Sequence, residues 1–174
     1  MLHARKQGFT IVELLIVVVV IGVLAAIVVV AYNGITTNAN RVSAASEVRQ
    51  WVKLFELYRA QNGSLPSLAN GGYCLGTGYP TGYCRDTNGV GIYSYAESTG
   101  AAIITALSSV GKPPQNSVKS VVEGRAGPYL TVSSSSFLVN TPIPATNDQE
   151  CGKLGMTHQW LGSSSAVCHI TIPR

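Results

Sequence analysis

From Phe9 to Tyr32 the chain reads FTIVELLIVVVVIGVLAAIVVVAY, apolar around the whole circumference of a helix and interrupted by one charge, Glu13. Leu14 to Tyr32 gives 19 residues without a charge. As a helix they span roughly 28 Å, close to the hydrocarbon thickness of a bilayer. A core helix this greasy would need more covering chain than a domain of this size supplies. The pattern therefore predicts a membrane span. Arg5 and Lys6 precede it and residues 33–40 carry no charge, so the N-terminus is expected to stay cytoplasmic and the remainder to be translocated.

After Tyr32 the pattern becomes amphipathic. Ala45, Val48, Trp51, Val52, Phe55 and Tyr58 recur at threes and fours, while Arg49, Lys53 and Glu56 fall on the other side. Asn62-Gly63 and Pro66 form a helix stop. A single helix from Phe9 into this stripe is predicted, with Asn33-Gly34 its weakest point and the Trp and Phe stripe its core face. Residues 63–96 read as a Gly- and Tyr-rich loop region, and Ser98 to Val110 as a short helix stopped by Gly111-Lys112-Pro113-Pro114. Val118–Val122, Tyr129–Ser133, Phe137–Asn140 and Val167–Ile172 have strand composition. The expected class is α+β: a long N-terminal helix packed on a small antiparallel four-strand head.

Composition sharpens this picture. Charged residues are only 11% of the chain, against about 25% in an ordinary soluble domain. Twelve Lys+Arg face eight Asp+Glu, a net +4 that is too small to imply nucleic acid by itself. Cys74, Cys84, Cys151 and Cys168 all lie in the segment expected outside the cytosol, where an even count reads as disulfides. Three pairings are possible; sequence proximity favours 74–84 and 151–168. Zinc is the rival, with Cys151, Cys168, His158 and His169 as ligands by type, but their spacing matches no compact metal motif.

A secretory signal peptide also has a basic start and an apolar core, and Ala25-Ala26 or Ala31 could mimic its cleavage site. Its core is usually shorter than this one and carries no carboxylate. A charge in a membrane helix costs at least a few kcal/mol and marks function by default. Cleavage between Gly8 and Phe9 would create an α-amine four residues before Glu13. In a bundle, the amine of one copy could meet Glu13 of its neighbour and remove both charges from the oil. The bland reading is a Glu snorkelling at the interface.

Gly8-Phe9-Thr10-Ile11-Val12-Glu13-Leu14, followed by the apolar run with Gly22 and Ala31-Tyr32, resembles the N-terminal segment of type IV prepilins. The resemblance implies cleavage after Gly8 by the prepilin peptidase, N-methylation of Phe9 and docking of Glu13 against a neighbour's N-terminus. It further implies assembly, with the pilus machinery, into a helical homo-oligomeric filament. The 151–168 pair is similar to the C-terminal disulfide loop of many pilins. A departure is Val30, where the family often carries proline. The implied layout is a leader at residues 1–8, a membrane and polymerisation half-helix at 9–32, an amphipathic half-helix at 33–62 and a head at 63–174.

No catalytic motif stands out: there is no G-x-S-x-G, P-loop, H-E-x-x-H or telling carboxylate pair, and the His158, Ser163, Asp148 trio is what any loop supplies. The expectation is a structural subunit with no enzyme activity, cofactor or metal. Two destinations compete. The leading one is a type IV pilus, anchored once in the cytoplasmic membrane and then displayed on the cell surface for motility, adhesion or DNA uptake. The alternative is a pseudopilin of a type II secretion system, and from another class a membrane-anchored extracytoplasmic binding protein. DNA contact is weakly supported. Loss of residues 1–8 removes 2 of the 12 cations, leaving 10 against 8 anions. Those remaining are scattered, with Lys112, Lys119 and Arg125 nearest to a patch and Tyr73, Tyr79 and Tyr83 available for stacking.

Overall fold

The computed structural model describes residues 10–79, 81–89, 93–114 and 122–174, excluding the side chain of Val30. Gly8 and Phe9, Arg5 and Lys6, Lys119 and nearly all of the expected 118–122 strand lie outside the described residues. Helix α1 covers Ile11–Asn62, and the chain divides into two compact units, Met1–Asn38 and Ala39–Arg174.

In the first unit the apolar run is left uncovered by the described residues. Every Ile, Leu and Val from Ile11 to Val29 is 47–83% exposed. The helix passes through Asn33-Gly34 without a break. Thr36 Oγ1 donates to the carbonyls of Tyr32 at 3.0 Å and Asn33 at 3.1 Å, and Thr37 Oγ1 donates to Asn33 at 2.8 Å. These bonds tie the threonines back into the preceding turn, where glycine alone would weaken it.

In the second unit the helix carries one buried stripe. Ala45, Val48, Trp51 and Phe55 are fully enclosed, and Leu54 nearly so. The helix ends where the sequence places its stop: Gly63, at φ +76°, donates its N–H to Arg59 O at 2.8 Å, closing the last turn in the left-handed conformation that glycine adopts freely.

The head is built on eight strands among the described residues. β1 (Gly71–Cys74), β5 (Tyr129–Val132), β6 (Ser136–Pro144), β8 (Ser165–Pro173) and β7 (Thr157–Leu161) form a five-stranded sheet in the order β1-β5-β6-β8-β7. β2 (Tyr83–Asp86), β3 (Ser94–Ala96) and β4 (Arg125–Ala126) form a second sheet in the order β3-β2-β4. All the pairings are antiparallel. A 3-10 turn at Glu97–Gly100 leads into α2 (Ala101–Leu107), and α3 covers Gln149–Lys153. The α+β class holds.

The main core joins Val48, Trp51 and Phe55 to Leu75, Ile103, Leu107, Leu130, Val139, Ile143 and Ile172. Phe55 meets Phe137 edge to face, with ring centroids 5.6 Å apart. Cys74, Tyr79, Cys84, Ala126, Tyr129 and Val167 make a smaller cluster under the Gly/Tyr-rich segment.

The expected loop at 63–96 is corrected: it contains β1, β2 and β3. Its strands are only three or four residues long and half-buried, too short to show alternation. The four-strand head becomes two sheets, and the expected strand ending at Asn140 runs on to Pro144. Prolines at 142 and 144 suggest a stop. They are tolerated because β5 pairs with β6 only as far as Asn140, leaving the later stretch with β8 alone as a partner.

Candidate assembly site: an exposed apolar helix and its carboxylate

Glu13 lies in the first turn of α1 and is held by the residue three before it. Thr10 donates to Glu13 Oε2 from its backbone N–H at 2.8 Å and from its hydroxyl at 2.7 Å. Glu13 N–H returns a bond to Thr10 Oγ1 at 3.3 Å. This reciprocal arrangement is a capping box, in which side chains at both ends of the first turn satisfy its unpaired donors. Its signal, Thr-x-x-Glu before an apolar run, is present in the sequence, although reasoning centred on a charged partner for Glu13 passes over it.

Capping changes what the carboxylate needs. Both bonds from Thr10 end on Oε2, so Oε1 takes no bond among the described residues. Thr10 orients the group and compensates part of its desolvation, but it brings no positive charge. The carboxylate thus sits at the start of a helix whose apolar run from Ile11 to Val29 is uncovered. The apolar stretch in α1 is long and apolar enough to cross a membrane, by length and composition.

The head supplies rigidity instead. Cys74 and Cys84 are bonded, with Cα atoms 5.6 Å apart, as are Cys151 and Cys168, at 5.5 Å. The first bond ties β1 to β2 across the two sheets. The second ties α3 to β8, and it consumes both thiols of the zinc alternative.

Around the first bond, Glu97 Oε2 accepts the N–H groups of Gly78 and Tyr79, both at 3.0 Å, and Thr99 Oγ1 accepts Cys74 N–H at 3.1 Å. Tyr79 OH reaches the carbonyls of Leu75, at 2.7 Å, and Pro128. Burial raises the Tyr79 phenol far above its ordinary range and lifts that of Tyr129 to about 12. Tyr79 is therefore a packing residue of the loop and gives no face to a base.

Around α3, Arg41 bonds Pro144 O at 2.5 Å and pairs with Glu150 at 2.8 Å, and Lys153 reaches the other oxygen of Glu150 at 2.7 Å. The Lys153 hydrogen bond, aided by the Arg41 charge, lowers the Glu150 carboxyl from its usual range. The His158, Ser163 and Asp148 trio forms no relay: Ser163 instead donates to Glu123. His169 is buried in β8, and that burial, followed by the neighbouring His158, lowers its pKa.

Residues 3–29 match the prokaryotic N-terminal methylation motif. The methylation motif thus precedes and enters the long helix of a pilin-like α+β architecture. The chain is 34% identical over 67 residues to type II secretion system core protein G of Pectobacterium carotovorum, an alignment covering 38% of this chain and 43% of that protein. It is 30% identical over 70 residues to the core protein G of Dickeya chrysanthemi, covering 40% and 46%. Against the Escherichia coli protein of the same name it is 31% identical over 67 residues, covering 38% and 46%. The chain thus spans less than half the length of the curated relatives it matches. No solved structure matches the chain.

Those names belong to a secretion system, and they move the weight from the expected surface pilus to the expected alternative. Motility, adhesion and DNA uptake gain nothing from them.

Proposed function

We propose that this protein is a pseudopilin-like filament subunit of a type II secretion-type machine, held in the cytoplasmic membrane as a precursor before assembly. The prepilin peptidase cuts after Gly8, Phe9 is N-methylated, and the mature chains stack through the apolar half of α1. The observation that carries this reading is an uncovered apolar half-helix, Ile11–Val29, with one capped carboxylate in its first turn.

The energetics follow from those two features. In a bundle, neighbouring helices replace lipid around Ile11–Val29, which stabilises mainly through close packing. That packing is weakly selective for register. Glu13 supplies the selection: its Oε1 can take the amine of an adjacent subunit's Phe9, while a mis-docked subunit leaves two charges in hydrocarbon. Thr10 holds the carboxylate in one orientation before the neighbour arrives.

The secretion names of the relatives support the pseudopilin over a displayed pilus. The test combines N-terminal mass with phenotype. The mature protein should begin at a methylated Phe9, and deletion should abolish secretion without removing surface filaments. Loss of surface filaments with secretion intact would return the type IV pilus to first place. An intact 1–8 leader on assembled material would end the processing scheme.

A further inference from the structure

The small sheet and β7 enclose a cleft of about 320 Å³ that no part of the assembly scheme uses. Arg85 of β2 and Arg125 of β4 line it, together with the rings of Tyr93, Tyr129 and Trp160. The Arg125 guanidinium lies over the Trp160 ring, 3.8 Å from its centroid. That of Arg85 sits 4.6 Å from the centroid of Tyr93 and 5.7 Å from that of Tyr129. One Arg85 N–H group donates to Tyr95 OH, while its Nε is shut off from solvent without an acceptor among the described residues. Arg85 also holds φ at +66°, the left-handed region that a non-glycine residue adopts at a cost.

The ion pairs among the described residues are Arg41–Glu150, Arg59–Glu56 and Lys153–Glu150, and neither cleft arginine takes part. Two cations are therefore brought to one place by separate strands and held by ring faces and the Tyr95 hydroxyl, with no carboxylate paired to either. A stacked guanidinium keeps its N–H edge for a planar anion.

We propose that this cleft binds the carboxylate of an acidic residue in an extended segment of a partner protein. The paired guanidiniums take the charge. The half-exposed rings of Tyr93 (53%) and Trp160 (38%) pack on the flanking side chains. β7, which lines the cleft through Gln159 and Trp160, is the edge of its sheet among the described residues, so its backbone can pair with an extended chain. A nucleic-acid strand is less well matched. It calls for a run of cations along a groove to follow successive phosphates, and this site gathers two. The cleft belongs to the head, so the proposal stands apart from the assembly role of α1.

Trp160 reports the test, because the second tryptophan, Trp51, is fully buried. The full-length protein in an uncharged maltoside detergent is titrated with the blocked peptide acetyl-Val-Thr-Glu-Thr-Val-amide, its Gln-for-Glu twin, and oligothymidylate. The Glu peptide should quench Trp160 saturably, with the Gln twin at least about tenfold weaker. Arg125→Gln should weaken the Glu peptide by a similar factor while leaving Trp51 emission and the melting temperature unchanged. It is preferred to Arg85→Gln, which removes contacts to several rings and can compromise folding. Equal affinity for the two peptides, no saturable quenching, or tighter binding of oligothymidylate would overturn the proposal.

Discussion

The two halves of α1 share a helix and differ in almost everything that stabilises one. Between Ile11 and Val29 nearly every position is apolar and every Ile, Leu and Val is exposed. Between Ala45 and Phe55 a narrow stripe is apolar, and it is enclosed by the sheet and α2. The first half is an apolar surface that the described residues leave uncovered, and the proposed function gives it lipid and then sister helices as covering. The second is already satisfied within its own chain. The contrast teaches that hydrophobicity alone does not say which residues hold the monomer together; the width of the apolar face does.

The largest effect should come from exchanging the roles of two residues. Trp51→Ala empties the centre of the core and should cost about 3–5 kcal/mol of head stability, read as a fall in denaturant midpoint. Val19→Ala should change head stability by less than about 0.5 kcal/mol on the same readout. A comparable loss from both would break the division between the halves.

Next is the C-terminal staple. Replacing Cys151 and Cys168 together by Ser opens a loop of sequence separation 17 and should cost about 2–4 kcal/mol. Membrane insertion should be unaffected, which a membrane-fraction assay checks.

A smaller effect is expected at Gly100. A Cβ there would lie 2.1 Å from Cys74 O, a backbone atom that cannot swing aside. Gly100→Ala should cost about 1–3 kcal/mol by pushing the 3-10 turn off β1. Gly22→Ala, with nothing within 4 Å, should leave the head unchanged.

The smallest is an acid titration. Glu123 accepts hydrogen bonds from Ser163 Oγ, Ser164 N at 2.7 Å, Ser164 Oγ at 3.0 Å and Ser165 Oγ at 2.5 Å. Led by the Ser163 and Ser165 bonds, these lower its pKa from 4.5 to about 2. A depressed carboxyl favours the folded state above its unfolded pKa, and that contribution fades as pH falls from about 4.5 through 2. The Glu123 carboxyl resonance should therefore shift with a midpoint near pH 2, and Glu123→Gln should loosen the 162–165 turn without unfolding the head.

Long-period features were legible in the chain before any coordinates. The span, the amphipathic stripe, the Asn62-Gly63 stop and the main strands β5, β6 and β8 each repeat a pattern over several residues. Short features were not. β1 to β3 are brief and lie among glycines, and β7 is a polar edge strand without alternation. The Arg85–Arg125 cleft is built by strands distant in sequence, so no local spacing announces it. Thr10 was available as the first residue of a Thr-x-x-Glu box, but attention to the charge of Glu13 hides it.

In the proposed function Glu13 selects register in an otherwise weakly selective apolar bundle. The most direct measurement is the yield of cross-linked or sheared filament from cells carrying Glu13→Ala, set against the amount of mature protein in the membrane. Membrane levels should stay normal while assembled material is lost. Filaments formed at the wild-type yield would contradict this role for Glu13.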